Sequence, residues 1–223
     1  MDIRDSQLTD YLQEIQTTFK RRHENYRIVI LEAGSDTREF ERFVSRHFRL
    51  RLQHYMLTPR ARSLETRLAI ISRSTHFLLY QHDRPTAVLR VTPAPFEWAS
   101  LAQQQLSPAT TLSRHVEFSR LISHSQTQFP MSINGLLAAA TEWAVTRGYE
   151  GVTALCRSPQ RRLFQRFGLT PITTDALHIE QRQRGDYWLL SAQWQQILTA
   201  LQQSAHLLAN PLETPVDEYA SQF

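Results

Sequence analysis

Apolar and polar residues alternate along His115–Ser123. Val116, Phe118 and Ile122 fall on one side, Glu117, Ser119 and Ser123 on the other. That is the period of a half-buried strand. Beyond it, apolar positions at Ile133, Leu136, Leu137, Ala140, Trp143 and Ala144 recur at helical spacing until Gly148. The pattern predicts a helix over 133–147 with Ser132 as its N-cap. Small residues at Gly135, Ala138, Ala139 and Ala140 let this helix sit close to a sheet. A second apolar run, Gly151–Arg157, completes a strand–helix–strand unit with its site between the two strands.

The rest of the chain reads around this unit. Leu8, Leu12, Ile15 and Phe19 make one stripe of a helix over 5–23, capped by Asp5 or Ser6. Tyr26–Leu31 is a β-branched run and the first strand. Asp36 with Glu39 has the spacing of a capping box. The helix it opens runs through Phe40, Phe43, Val44, Phe48 and Leu52 toward Leu57, with Arg42, Arg46, Arg49 and Arg51 on a solvated face or, in the other reading, a phosphate-facing patch. A loop at 58–66 leads to strands over 67–72 with 76–81, and 86–92, turning at 81–85. Pro93 to Trp98 leaves the last of these. Ser158-Pro159 opens a helix that ends at Gly168. Strands over 169–173 and 187–191 and a helix over 194–209 close the body. The expected organisation is one domain over 1–209, with a helical part at 1–60 and a core at 67–191, then a loose tail at 210–223.

With 223 residues, 41% of them apolar and 21% charged, the chain is long enough to bury one sizeable core. It contains no run of eighteen apolar residues, so no transmembrane helix is expected. The first residues lack the basic and apolar regions of a secretory signal, and a cytoplasmic protein is the expectation. Cys156 is the only cysteine, which excludes an internal disulfide and a cysteine-based zinc site; no metal is expected. The net charge of +4 is nearly all arginine, Lys20 being the only lysine. Arginine suits carboxylate and phosphate recognition, although genomic base composition produces the same bias. The balance is compatible with nucleic acid, an acidic carrier protein or a phosphorylated cofactor, and does not choose among them.

Glu117, Ser119 and Arg120 place a carboxylate, a hydroxyl and a guanidinium within four residues of a core strand, which is costly without a purpose. In a flat strand Glu117 and Arg120 face opposite sides, and one bulge residue between them brings them together. A buried structural ion pair is the other reading of the same residues.

Two segments resemble the GNAT superfamily of acyltransferases. One is Leu136 to Leu169, "LLAAATEWAVTRGYEGVTALCRSPQRRLFQRFGL", where a long helix ends at glycine, a strand follows and a short helix closes in "LFxRxGL". The other is Glu117-Phe118-Ser119-Arg120, similar to the E-x-S-R strand of acyl-homoserine-lactone synthases and long-chain N-acyl amino acid synthases; Arg90-Val91-Thr92-Pro93 resembles the strand end upstream of it. The resemblance implies an α/β (α+β) fold with a mixed, mostly antiparallel central sheet flanked by helices. Splayed strands in it form a wedge for pantetheine. There are departures. The residues before the long helix, Gln126 to Ser132, hold no glycine of the Q/R-x-x-G-x-G/A loop that cradles pyrophosphate. Phe164 stands where many members have an acid tyrosine. The missing glycines favour a donor held mainly through its pantetheine arm, such as an acylated carrier protein, and Phe164 cannot give a proton to the leaving thiolate.

The activity so implied is transfer of a fatty acyl group from an acyl-carrier-protein or acyl-CoA thioester to a small amine acceptor such as an amino acid. The thioester is a co-substrate, and no cofactor is bound permanently. Glu117 is the expected general base, with Arg120 fixing it or the acceptor and Ser119 hydrogen-bonding pantetheine or acceptor. Arg90 is expected to hold the acceptor's carboxylate, with Thr92, Phe118, Trp98 and Trp143 lining the substrate site and Phe129 beside them. Leu121, Ile122, Ser123, Arg157, Arg161 and Arg162 are expected along the donor. His115 and His124 are candidate proton carriers by their ordinary pKa. Cys156 reads as a small core residue. Two alternatives stay open: an acetyl-CoA-dependent N-acetyltransferase, and a non-catalytic module that binds acyl thioesters or nucleic acid. For nucleic acid the only support is the arginine-rich 42–62 stretch, which lacks interleaved aromatics.

Overall fold

The computed structural model describes residues 3–22, 25–51, 69–101, 112–123, 129–179 and 186–209. The expected loop at 58–66, most of the Gln- and Ser-rich segment before Ser113, His124 and the tail at 210–223 lie outside them. Helix α1 (Ile3–Arg22) buries Leu8 and Leu12, four residues apart on one stripe. It begins ahead of the expected caps, so Asp5 and Ser6 are inside its first turn. Strand β1 (Tyr26–Leu31) follows, then α2 (Arg38–Arg51). Because α2 starts at Arg38, Asp36 stands one residue too early to cap it. Asp36 instead accepts from the Arg38 N–H at 3.0 Å, and Glu39 meets the Tyr80 hydroxyl rather than closing a capping box.

The strand expected over 67–72 is in part a short helix, α3 (Ile70–Arg73). The Ile70-Ile71 pair has strand character, but Ala69 takes a left-handed φ of 47° and the Ser74 hydroxyl donates back to the Ile70 carbonyl. The chain thereby curls before entering β2 (Thr75–Gln81). Strand β3 (Arg84–Pro93) leads to α4 (Glu97–Leu101), a helix the sequence pattern did not mark, and β4 (His115–Ser123). Helix α5 (Phe129–Thr146) starts a turn earlier than expected, with Pro130 in its first turn, where a missing N–H costs little. Ser132 therefore lies within the helix. Strand β5 (Gly151–Arg157), α6 (Ser158–Arg166), β6 (Thr170–Pro171), β7 (Tyr187–Gln193) and α7 (Trp194–Ala209) complete the order. The strand expected over 169–173 is cut to two residues ending at Pro171, which has no N–H to extend a ladder.

The seven strands form one sheet in the order β1-β2-β3-β4-β5-β7-β6, antiparallel except for β4 against β5. One face carries the main core. Leu89, Val91, Val116, Phe118, Val152, Ala154 and Leu190 meet Leu8 and Leu12 of α1, the small-residue run of α5, and Ile197 and Leu198 of α7. The opposite face carries two apolar clusters with a polar gap between them. Phe40 and Phe43 of α2 cover Leu78, Tyr80, Val88 and Ile122. On the far side Phe96, Trp98 and Leu101 meet Leu177, Ile179, Tyr187 and Leu189. Among the described residues no helix is long and apolar enough to cross a membrane.

Gly151 sits where β4 and β5 begin to pair. A Cβ there would lie 2.3 Å from the Ala192 carbonyl oxygen and 2.6 Å from His115 Nε2. Gly151→Ala is expected to lower unfolding free energy by about 1–3 kcal/mol, read as a shifted urea midpoint at unchanged slope.

Candidate functional site

The polar gap is built by a bulge in β4. Arg90 faces Ser119 and Val88 faces Ile122, so Leu89 opposes both Arg120 and Leu121. Arg120 is the added residue and takes a φ of +55°, an unfavourable backbone for a side chain with a Cβ. The inserted residue reverses the alternation after it. Ile122, expected beside Val116 and Phe118, lies on the opposite face under α2, while Leu121 joins the main core. It also brings the Arg120 guanidinium to the face that holds Glu117 and Ser119, where both Glu117 and Arg120 meet Glu97.

Glu97 is the hub of that face. Its Oε2 accepts from Arg90 and its Oε1 from Arg120 Nη2 at 3.1 Å, while its backbone N–H donates to Glu117 Oε2 at 2.6 Å. The side chains of Arg90 and Glu97 are each 2% exposed and that of Arg120 10%. Arg90 also donates through Nε to the Ser119 hydroxyl at 3.0 Å. Thr92, directly opposite Glu117 in the ladder, pairs its hydroxyl with that of Ser74 at 2.8 Å. Arg73 donates to the carbonyl oxygens of Pro93 and Pro95, which fixes the segment carrying Glu97. Burial pulls the Arg73 pKa below the usual arginine value, Glu117 opposes that shift, and Arg90 adds to it. His76 lies opposite Arg90 in the β2–β3 ladder and is fully buried. Burial, with the Arg90 charge second, pushes its pKa down to about 4.

The second feature is a parting of strands. Strands β4 and β5 pair only at His115–Gly151, Val116–Val152 and Glu117–Thr153. From there β4 continues with β3 and β5 with β7, leaving a wedge that opens beside Glu117. The apolar cluster with Phe96 and Trp98, whose rings stack at 5.4 Å, borders it through Leu155.

Of the residues expected at the site, Glu117, Ser119, Arg120, Arg90 and Thr92 are brought together, and Trp98 adjoins them. Phe118 and Trp143 are not. Both sit in the core of the opposite face, because Phe118 is one step out of phase with Glu117 and α5 covers that other face. Trp143 is spent there, its indole N–H donating to Glu32 at 3.1 and 3.2 Å and its ring stacked on Tyr149. Leu121, Ile122 and Ser123 follow the bulge and divide between faces rather than lining one surface. Arg157 is half-buried at the end of β5, Arg161 lies 3.9 Å over the Trp188 ring, and Arg162 is exposed on α6. His115 is no surface histidine; it is 4% exposed against Gly151, and burial lowers its pKa. Cys156 is buried, and desolvation pushes its thiol up to about 12. Phe164 is in the core, and nothing is described of the Phe129 side chain. Among the described residues no three His, Cys, Asp or Glu side chains gather as metal ligands.

Glu97, Arg73, Ser74 and His76 were not singled out from the sequence. The available signals were slight: an acid between two aromatics in Phe96-Glu97-Trp98, and a histidine directly ahead of the apolar run Phe77 to Tyr80.

A mostly antiparallel seven-stranded sheet flanked by helices, with one parallel pair that parts, is a GNAT-like fold, and solved structures similar to the chain share it. An N-acyl amino acid synthase from uncultured soil microbes, FeeM, superposes with a TM-score of 0.64 at 12% identity, covering 80% of this chain and 96% of that one. The acyl-homoserine-lactone synthase LasI superposes at 0.55 with 12% identity, covering 76% and 90%. BjaI, a CoA-dependent acyl-homoserine lactone synthase solved with SAM and isopentyl-CoA, superposes at 0.51 with 18% identity, covering 81% and 90%. No family model and no curated protein sequence matches the chain.

Removing the Glu97 carboxylate takes from Arg90 and Arg120 the buried anion they share. Glu97→Ala is expected to cost about 3–5 kcal/mol of stability in chemical denaturation. His76 makes a separate contribution. Its folded pKa of about 4 lies below the ordinary 6.5, so the unfolded chain binds the extra proton first. Stability falls as pH drops from 6.5 and levels off below 4, by up to about 3 kcal/mol. A His76→Phe variant is expected to lack that component of the pH–stability curve.

Proposed function

We propose that the protein is an N-acyltransferase that moves a fatty acyl group from an acyl-carrier-protein or coenzyme A thioester to a small amine. The observation that supports this most is the wedge between β4 and β5 opening beside Glu117. A pantetheine arm is an extended chain of amides, and strand edges that have left one another offer it backbone donors and acceptors, as in strand addition. The apolar cluster around Trp98 borders the same opening through half-buried Leu155, and an acyl chain would run beside it.

Glu117 acts as general base, directly or through a water. It takes a proton from the acceptor's ammonium, and the neutral amine attacks the thioester carbonyl carbon. The C–N bond forms and the C–S bond breaks; the sulfur leaves as a thiolate with the bonding pair, and the second proton lost from nitrogen passes to solvent. Glu97, itself gripped by Arg120, holds Glu117 in place. Glu97 does so through its backbone N–H, which favours the ionised carboxylate that a base requires. Phe164 gives no proton to the leaving group; a thiolate leaves without one, since its pKa of about 8.5 makes it a good leaving group at neutral pH. Arg157, Arg161 and Arg162 meet the acidic surface or phosphate of the donor's carrier. The lactone synthases and the amino acid synthase among the structural neighbours support the same reading.

The test is thiol release from acyl-CoA and acyl-carrier-protein thioesters of several lengths in mixed amines. Turnover from a long-chain donor is expected, falling at least about 100-fold in a folded Glu117→Gln variant. Unchanged turnover in that variant would remove Glu117 from the reaction.

A further inference from the structure

Arg73 ends the short helix α3, and its guanidinium reaches the turn that carries β3 into α4. Nη1 donates to the Pro93 carbonyl at 2.6 Å and Nη2 to the Pro95 carbonyl. The next residue, Ser74, pairs its hydroxyl with that of Thr92 at 2.8 Å, and Thr92 stands opposite Glu117 in the β3–β4 ladder. Two residues beyond Pro95, the Glu97 N–H donates to Glu117 Oε2. Arg73 and Glu117 therefore clasp the same turn, one through two carbonyls and the other through an N–H. A planar fork on two carbonyls fixes orientation as well as distance.

The carbonyls take N–H groups from Arg73 without cancelling its charge. Glu117 favours the charged form of Arg73. Coulomb attraction is mutual, so Arg73 favours the ionised form of Glu117 in return. The other charged groups on this face are differently engaged. Arg90 from β3 and Arg120 from β4 both donate to the carboxylate of Glu97 from α4. His76, opposite Arg90 on β2, stays neutral until about pH 4.

We propose that Arg73 is a positioning residue for Glu117: it holds the 93–97 turn so that the Glu97 N–H meets the Glu117 carboxylate, and its charge keeps that carboxylate ionised. The part this plays in catalysis rests on the transferase reading above.

The experiment follows the Glu117 carboxyl by NMR through a pH titration of protein with isotope-labelled glutamate, the signal being assigned by its absence in Glu117→Gln. Arg73→Gln and Arg73→Met remove the charge, and Arg73→Lys keeps it; circular dichroism checks that each folds. The Glu117 midpoint is expected to rise by about one pH unit in the neutral variants and to return toward the wild type in Arg73→Lys. The acid limb of kcat/KM for thioester turnover should move up with it, by up to about tenfold in rate on that limb. A merely structural lesion lowers the whole profile and leaves the limb where it was. A Glu117 titration in the neutral variants that matches the wild type, whether both move or neither does, overturns the proposal. So does a shift that lysine fails to reverse. A lysine-reversible shift without turnover by any of the proteins upholds the hold of Arg73 on Glu117 and sinks the transferase reading. A limb that stays in place while the titration moves upholds that hold too, and removes Glu117 from the reaction.

Discussion

A carboxylate with a guanidinium on each oxygen is difficult to move. Glu97 is held this way from two adjacent strands, with its own backbone N–H given to a second carboxylate. Four charges that would each be expensive to bury alone become tolerable because they are balanced and hydrogen-bonded. The interaction pins the chain leaving β3 onto β4 and fixes α4 over the sheet. It also offsets the unfavourable backbone of Arg120, since the guanidinium that the left-handed turn redirects is the one that closes on Glu97.

From that local event the face acquires its division of labour. Before the bulge, the outward residues of β4 are polar and meet the ion network. After it, Ile122 enters the apolar patch under α2. The polar strip thus lies between two greasy ones, and the wedge opens along it where β4 and β5 stop pairing. The proposed reaction brings an apolar chain, an amide-bearing arm and a charged nucleophile to one place. A surface segregated in this order can receive all three without mixing them.

Much of this was legible in the residues. The alternation of His115–Ser123, the small-residue helix ending at Gly148 and the apolar run of Gly151–Arg157 are strong local patterns, and each element forms where its pattern lies. Residues of the E-x-S-R strand and Arg90 do converge. What was hidden depended on partners far away in sequence. Glu97 reads as a loop acid until Arg120, remote in sequence, folds back on it. No glycine marks the bulge at Arg120, so Ile122 was assigned to the wrong face. Trp143 shows that it is buried but not on which side of a sheet its helix will pack, and Ile70-Ile71 favours a strand locally where the Ser74 hydroxyl and Ala69 make a turn of helix.

The one sulfur nucleophile in the sequence bears on the order of events. Cys156 lies within the core with a thiol pushed up to about 12, far from the thiolate that trades acyl groups. The chain therefore has no cysteine on which to park an acyl group between donor and acceptor. The direct attack proposed above needs both substrates on the protein at once, the donor in the wedge and the amine on the adjoining face. Steady-state velocities for such a transfer follow a ternary-complex rate law, with reciprocal plots that intersect rather than run parallel.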